Sequence, residues 1–435
     1  MFLIFTLLCI RVSTVAAQDH VDFWYSTAGV DEFTSSLCQV SLPNNDIETC
    51  VNVPAFSTYA ISPDHSMIAL RANYDGQIHL LNTSTQNLTS LELCQPNHLF
   101  LWDEHYYDSG TLTWSPDARY LAFTGVTTLS CDTDDQANVY IYDTLEESLS
   151  NLTADVSVTR SSMIPSSWSP DGEWLILYGV QSISNTGELN WGSALISREG
   201  TDFREIAPHY KTCRLVWSPD MKWLTSNTAC RESIGTGSDL VFIPFDFEVL
   251  PNATEFVSYI DDVISPLHFG YRPTSGWTSQ YTSPIWIDNE IAIAYRTLSA
   301  ISGGYLTQEE MENYSSKGIV AIDLATMTET MIFDRKSAGD TTKIGNWFIS
   351  RQDENYWVLN PITKQEFVLP AAMIPCVVQD SVQISNRGNY IAIVHNCSLA
   401  DSEAHLFVYN VDQLDMPLLE SIFDTPQVNL LGFSS

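Results

Sequence analysis

The chain has 435 residues and is strongly acidic, with 53 Asp and Glu residues, 19 Lys and Arg residues and a formal net charge of −34 at pH 7. A surface of this charge repels phosphate backbones and so argues against nucleic acid as a partner. It favours solubility and the attraction of basic proteins or of cations such as calcium. No segment has the apolar length that a membrane span requires, so we expect none.

The first 17 residues predict a signal peptide. An apolar run over 2–10 is followed by Val15-Ala16-Ala17, whose small side chains suit signal-peptidase cleavage. The run is too short to cross a bilayer. We therefore expect an exported protein, secreted or periplasmic, with a propeller domain over 18–435. The alternative is a cytosolic N-terminal strand.

A short phrase recurs four times along the chain. The copies are Ser62-Pro63-Asp64, Trp114-Ser115-Pro116-Asp117, Trp168-Ser169-Pro170-Asp171-Gly172 and Trp217-Ser218-Pro219-Asp220. Their serines lie 53, 54 and 49 residues apart, and a strand-like apolar run follows each copy. Ser, Pro, Asp and Gly suit the successive positions of a type I β-turn. Each copy therefore predicts a turn between two antiparallel strands, and the repeat length predicts the blades of a β-propeller.

Hairpins and weaker copies of the phrase extend the repeat. The turn chemistry persists at 384–388 and 286–289 without the Pro-Asp pair. Two apolar strands flank a polar turn at 36–53, 77–91, 138–153, 193–206, 239–256, 318–333, 356–370 and 405–422. The pattern predicts an all-β fold, a single β-propeller of about eight four-stranded blades. Seven blades are the alternative because 356–370 has no clear first strand, and we interpret 257–282 as an insertion.

The two ends of the chain complement each other. The segment 430–435 aligns with the strand that ends at Trp114, and Phe433 takes the place of the Trp. The segment 21–26 resembles a strand that follows a Ser-Pro-Asp turn. We therefore predict one blade built from both ends, which would close the ring and remove an open sheet edge.

Eight cysteines remain after removal of the leader, an even number. Most of them bracket a pair of adjacent predicted strands, whose ends lie within disulfide reach in an antiparallel sheet. The predicted pairs are Cys38–Cys50, Cys94–Cys131, Cys213–Cys230 and Cys376–Cys397. This pairing presumes an oxidising compartment. Metal binding by the cysteines is the alternative, but the sequence has no Cys-x-x-Cys spacing.

The sequence presents no recognisable catalytic centre and predicts no cofactor. Its nine histidines are scattered without a metal-binding spacing. The acidic loop with Asp132, Asp134 and Asp135 could supply oxygen ligands to calcium or could be a solvated turn. Asn-x-Ser/Thr sequences, some of which arise by chance, matter only in a glycosylating host. They occur at Asn82, Asn87, Asn151, Asn252, Asn313 and Asn396.

The Trp-Ser-Pro-Asp-Gly phrase, followed by an aromatic residue and an apolar strand, resembles the TolB-type propeller repeat, a Pro-Asp relative of the WD repeat. It is also similar to the propeller of prolyl-oligopeptidase-type enzymes. Clear copies cover about 56–226. The resemblance implies that the Ser, Pro and Asp residues shape the blades, and that the protein is an exported docking platform. The later phrases depart from the family by losing Pro-Asp.

We therefore predict a monomeric interaction module that binds an unidentified protein or glycan ligand. One alternative is a carbohydrate-active hydrolase or lyase that uses carboxylates at the mouth of the channel. A second alternative is a structural component of a cell envelope.

Overall fold

The computed structural model describes most of the chain from Val21 to Phe433. The described ranges are 21–29, 33–42, 46–73, 76–91, 111–125, 138–156, 163–183, 189–205, 215–227, 240–245, 267–269, 277–281, 284–300, 318–334, 341–352, 355–370, 382–395, 404–414, 417–423 and 428–433. Every regular element within these ranges is a β-strand, and the strands form eight antiparallel sheets. The predicted all-β propeller of eight blades is therefore confirmed.

Blade 1 combines both ends of the chain, and blades 2 to 4 follow in sequence order. Blade 1 consists of β1 (Val21–Ala28), β2 (Thr34–Leu42), β3 (Asp46–Pro54) and β33 (Val428–Phe433). Blade 2 consists of β4 (Phe56–Ile61), β5 (Met67–Ala72), β6 (Ile78–Asn82) and β7 (Leu88–Leu91). Blade 3 consists of β8 (Leu112–Trp114), β9 (Tyr120–Gly125), β10 (Asn138–Asp143) and β11 (Ser148–Asn151). Blade 4 consists of β12 (Ile164–Trp168), β13 (Trp174–Ile183), β14 (Leu189–Ser197) and β15 (Phe203–Glu205).

Blades 5 to 8 complete the ring. Blade 5 consists of β16 (Val216–Trp217), β17 (Trp223–Asn227), β18 (Leu240–Pro244) and β19 (Leu267–Phe269). Blade 6 has five strands, β20 (Trp277–Tyr281), β21 (Ile285–Trp286), β22 (Ile291–Ala300), β23 (Gly318–Asp323) and β24 (Thr328–Asp334). Blade 7 consists of β25 (Thr341–Ile344), β26 (Trp347–Gln352), β27 (Asn355–Asn360) and β28 (Gln365–Pro370). Blade 8 consists of β29 (Val382–Ile384), β30 (Tyr390–His395), β31 (Ala404–Asn410) and β32 (Leu419–Phe423).

The first strand of each repeat is the innermost strand of its blade. Strand β8 contacts both β4 and β12, which are the first strands of the two neighbouring blades, and β29 contacts β33. The fourth strands lie at the outside of the ring, where most side chains of β11 are exposed. Apolar side chains from facing blades fill the space between them. One such cluster joins Leu80 of blade 2 to Phe123 of blade 3.

The predicted closure of the ring by the two ends of the chain is confirmed. Strand β33 pairs with β1 in an antiparallel register that places Phe433 opposite Phe23, with their ring centroids 4.8 Å apart. The Tyr59 hydroxyl of blade 2 also donates a hydrogen bond to the carbonyl of Leu430, at 3.1 Å. Strand β33 therefore completes the sheet of blade 1 and contacts blades 2 and 8 on either side.

The structure corrects two details of the blade assignment. Strands β25 and β26 supply the first half of blade 7, so the seven-blade alternative is wrong. The predicted hairpin at 239–256 is also wrong, because β18 pairs with β17 on one side and with β19 on the other. Strands β19 and β20 lie within the stretch interpreted as an insertion. The long separation along the chain between β18 and the three-residue β19 hides this pairing from a search for local hairpins.

Two tryptophans of the repeated phrase connect neighbouring blades. Trp114 Nε1 donates to the carbonyl of Ala60 at 3.0 Å, and Trp168 Nε1 donates to the carbonyl of Thr113 at 3.2 Å. Each indole thus binds the innermost strand of the preceding blade. The Trp217 ring of blade 5 is buried as well. Blade 5 is joined to blade 4 by a different hydrogen bond, which Ser167 Oγ donates to the carbonyl of Leu215 at 3.3 Å.

Candidate binding face

In the described part of the chain, the turns after the first and third strands of the blades lie on one side of the ring, because successive strands run antiparallel. We call this side the turn face. Backbone hydrogen bonds tie its two sets of turns together, as from the Thr144 N–H to the Arg119 carbonyl at 3.0 Å and from the Leu324 N–H to the Glu290 carbonyl at 2.9 Å. The turn face is therefore a well-connected surface in the described part of the chain.

The four Ser-Pro-Asp turns share one hydrogen-bond pattern. In each turn the Ser hydroxyl donates a hydrogen bond to the Asp carboxylate two residues later. The hydroxyl oxygen also accepts a hydrogen bond from the backbone N–H five residues after the Ser. The Ser–Asp distances are 2.7 Å for Ser62–Asp64, 2.5 Å for Ser115–Asp117, 2.5 Å for Ser169–Asp171 and 2.8 Å for Ser218–Asp220. The four serines are buried, so their hydroxyls act within the turn. Ser385 repeats the second bond by accepting the Tyr390 N–H at 3.0 Å.

The fourth position of these turns has a positive φ. The values are 58° at His65, 60° at Ala118, 73° at Gly172, 62° at Met221 and 72° at Gly388. Glycine is the residue that adopts this conformation at least cost. A Cβ at Gly388 would also lie 2.4 Å from the Trp347 ring. Both the positive φ and this close approach therefore favour glycine at position 388.

The turn bonds shift the pKa of the Asp64 carboxyl group. Burial raises this pKa, but hydrogen bonds from the Ser62 hydroxyl and from the backbone and hydroxyl of Ser66 outweigh burial and lower it below its ordinary value. A carboxyl group with a lowered pKa in the folded state stabilises that state above its unfolded pKa. The contribution is lost as the pH falls through the folded pKa.

We expect the free energy of unfolding to fall as the pH drops below about 4, the ordinary pKa of an Asp carboxyl group, in part because Asp64 becomes protonated. Urea unfolding at several pH values should show a shallower fall for Asp64→Asn than for the wild type. Ser62→Ala should flatten the fall in the same direction, because it removes a bond that lowers the pKa of Asp64. Equal slopes in all three proteins would contradict this account.

Among the other predicted site residues, one disulfide lies in the described part of the chain. Cys38 and Cys50 form a disulfide between β2 and β3, with their Cα atoms 4.1 Å apart. The predicted signal peptide and the acidic loop with Asp132, Asp134 and Asp135 lie outside the described residues. So do the remaining cysteines, Cys94, Cys131, Cys213, Cys230, Cys376 and Cys397. Within the described ranges, no group of three or more His, Cys, Asp or Glu residues could hold a metal ion.

Sequence reasoning missed a set of exposed apolar side chains at the turns. Met327 is 47% exposed, and Ile287 and Ile362 are each 37% exposed. Met327 and Ile287 lie in turns of blade 6, and Ile362 lies in a turn of the neighbouring blade 7. We call these three residues the blade 6–7 patch. An apolar residue inside each polar turn is the sequence signal that could have indicated them.

Acidic residues lie in or beside the turns that carry the blade 6–7 patch. Asp288 and Glu290 are exposed in the same turn as Ile287, and Asp323 precedes the turn that contains Met327. Glu366 is exposed two residues after Lys364, the exposed basic residue of the turn that carries Ile362. Among these described residues, four carboxylates thus accompany one ammonium group. The local charge therefore favours a basic partner.

The turns of blades 3 and 4 also expose an apolar residue, but ion pairs dominate this sector. Leu145 is 72% exposed. Arg119 pairs with Asp143 at 2.6 Å, and its guanidinium lies 5.0 Å from the centroid of the Tyr120 ring. Arg198 of blade 4 lies 5.2 Å from the centroid of the same ring. The Arg119–Asp143 pair lies within blade 3, and the Arg198 contact joins blade 4 to blade 3, so we assign this sector a structural role.

Comparison with known proteins supports the fold alone. No family model matches the chain, and no curated protein matches its sequence. Among solved structures, a eukaryotic initiation factor is 9% identical over 95% of this chain and 98% of its own, with a TM-score of 0.50. TolB from Acinetobacter baumannii is 14% identical over 81% of this chain, with a TM-score of 0.34. This chain spans 63% of that TolB structure, less than two thirds of it.

Enzymes also occur among the structural neighbours. An oligogalacturonate lyase in complex with manganese is 12% identical over 90% of this chain and 97% of its own, with a TM-score of 0.49. TolB structures are among the similar structures, as the resemblance of the repeat predicts. The eight antiparallel sheets make the chain an eight-bladed β-propeller protein. The part of it that is described contains no helix long and apolar enough to cross a membrane.

Proposed function

We propose that the protein is a binding module and that its turn face receives a protein partner at blades 6 and 7. The observation that carries this proposal is the blade 6–7 patch, in which Ile287, Met327 and Ile362 are exposed at turns of two neighbouring blades. Docked interfaces commonly combine an apolar centre with a polar rim. The turns of blades 6 and 7 present both components, exposed apolar side chains and carboxylates.

The charge of the surface indicates the kind of partner. The whole chain carries a formal charge of −34, and the described charges beside the blade 6–7 patch are mainly acidic. A second copy of the chain would carry the same charge and would be repelled, which supports a monomer. A segment with Lys or Arg residues next to apolar side chains would be attracted and could also bury the three apolar residues. We therefore propose a basic, amphipathic protein segment as the partner.

We place this activity outside the cytoplasm. The disulfide between Cys38 and Cys50 is of a kind that persists in oxidising compartments, and the predicted signal peptide agrees with export. Calcium binding at Asp132, Asp134 and Asp135 stays a prediction. The carbohydrate-active enzyme and the envelope component also stay alternatives. No described feature favours either of them over the binding module.

A displayed library of random peptides tests the proposal without knowledge of the natural partner. The immobilised wild-type protein should enrich peptides that contain both basic and apolar residues. Their affinity should fall by about tenfold or more in an Ile287→Ser, Met327→Ser, Ile362→Ser variant, because a few buried apolar residues carry most of the energy of an interface. Raising the salt concentration should weaken binding as well.

The control is Leu145→Ser, which changes an exposed apolar turn residue in blade 3. This variant should bind the selected peptides as the wild type does, and thermal unfolding should show that both variants are folded. Selected peptides that bind the triple variant and the wild type equally would contradict the proposal. An absence of basic peptides among those selected would contradict the proposed class of partner.

A further inference from the structure

Three Asn-x-Ser/Thr sequences lie in the described part of the chain, and the structure gives their asparagines different surroundings. Asn82 and Asn87 lie at the two ends of the hairpin turn between β6 and β7 in blade 2. Asn151 ends β11 in blade 3. A glycan attached to a folded protein needs an asparagine amide that faces solvent. The three sites can therefore be ranked by exposure and by hydrogen bonds.

The carboxamide oxygen of Asn82 is bonded within its turn. Its Oδ1 accepts the Ser84 N–H at 3.1 Å and the Thr85 N–H at 2.8 Å. The Ser84 and Thr85 hydroxyls donate to the same oxygen at 2.8 and 3.0 Å. Asn82 is also half-buried. Its side chain therefore stabilises the hairpin in a fixed orientation.

Asn151 is held against the core. Its Nδ2 donates to the Tyr140 hydroxyl at 3.4 Å, and its Oδ1 accepts the Thr153 N–H at 3.1 Å. Thr153, the hydroxyl residue of this sequence, is only 2% exposed, and Leu152 between them is buried. A glycan on Nδ2 would displace the contact with Tyr140.

Asn87 is the accessible site. It is exposed, and no side-chain hydrogen bond involves its carboxamide among the described residues. Thr89, the hydroxyl residue of the sequence, is exposed on β7, the outer strand of blade 2. The backbone of Asn87 is fixed by a hydrogen bond from the Asn82 N–H to its carbonyl, at 3.0 Å. The amide therefore projects from a rigid turn without a structural role of its own.

We propose that Asn87 carries an N-linked glycan, added when the chain passes through a glycosylating secretory compartment. The transfer needs a lipid-linked diphospho-oligosaccharide. The Asn87 Nδ2 bonds to the anomeric carbon of the sugar, and the bond from that carbon to the diphosphate oxygen breaks. The lipid diphosphate leaves with the bonding electron pair, and the amide nitrogen loses one proton to a base of the transferase. Blade 2 lies across the eight-bladed ring from blade 6, so the glycan would be attached away from the blade 6–7 patch.

Expression of the full chain, including the predicted signal peptide, in a eukaryotic cell line tests this proposal. Peptide mass spectrometry of the secreted protein should find a glycan on Asn87, which peptide-N-glycosidase removes. Thr89→Ala should lose the mass of one glycan, whereas Thr89→Ser, which keeps the acceptor sequence, should retain it. Asn151→Gln should leave the glycan mass of the folded, secreted protein unchanged.

Two outcomes would overturn the proposal. The first is a secreted wild-type protein in which Asn87 is unmodified. The second is a chain that stays in the cytosol, since Asn87 would then never meet the glycan donor. Neither result bears on peptide binding at blades 6 and 7, which can be measured on protein from any host.

Discussion

Deletion of residues 428–435, which removes β33, is expected to abolish cooperative folding of the entire ring. The strand contributes four buried apolar side chains, Val428, Leu430, Leu431 and Phe433. Burial of a large apolar side chain contributes roughly 2 kcal/mol, so the four contribute about 8 kcal/mol. This loss is comparable to the total stability of a typical domain, about 5–15 kcal/mol. The deletion would also expose an edge of β1 and remove the contacts of β33 with β29.

Thermal unfolding followed by circular dichroism measures this effect. The truncated protein should show no sharp transition and should aggregate in size-exclusion chromatography, because an unpaired edge strand invites association. Removal of only residues 434–435 is the control, and that protein should unfold as the wild type does. A sharp transition close to the wild-type temperature in the protein without β33 would contradict this role of the strand.

The double variant Ser115→Ala, Ser169→Ala is expected to lose about 4 kcal/mol of stability. Each substitution removes the hydroxyl that donates to the Asp of its turn and leaves a backbone N–H, of Tyr120 or Trp174, without its acceptor. Loss of a buried hydrogen-bond partner costs about 2 kcal/mol. Each hydroxyl bonds within its own turn, so the two costs should add approximately, and because Gly172 lies close to Pro116 the single variants are needed to check this.

Urea unfolding of both single variants and the double variant gives the three free energies. The matched control is Ser148→Ala, Ser150→Ala, which changes two exposed serines on β11. Surface substitutions of this kind usually change stability by less than about 0.5 kcal/mol. A double variant that is no less stable than this control would show that the turn hydroxyls contribute little.

Turn chemistry explains why much of the fold could be predicted from the sequence. A Ser-Pro-Asp turn depends on residues within a few positions of one another, such as Ser169, Asp171 and the Trp174 N–H. Closure of the ring was also predictable, because Phe433 occupies the place that Trp114 has in its own repeat. Local interactions and a regular spacing are sufficient for both inferences.

Non-local pairing and surface geometry explain what could not be predicted. Strand β19 has three residues and pairs with β18 across a long segment, so no local pattern identifies it. The blade 6–7 patch combines Ile287 with residues from two other turns. Each of them alone is an ordinary exposed residue. Their common location follows only from the order of the blades and from the direction of each strand.

The central claim is that one sheet contains both ends of the chain, and a designed cross-link tests it most directly. Ser26 of β1 lies opposite Asn429 of β33. The Cα atoms of such antiparallel partners lie about 4.5–5.5 Å apart, a separation that a disulfide can bridge. In the Ser26→Cys, Asn429→Cys variant, peptide mapping without reductant should recover residue 26 linked to residue 429. Two new cysteines that stay free, or that link only to other cysteines, would contradict the closed ring.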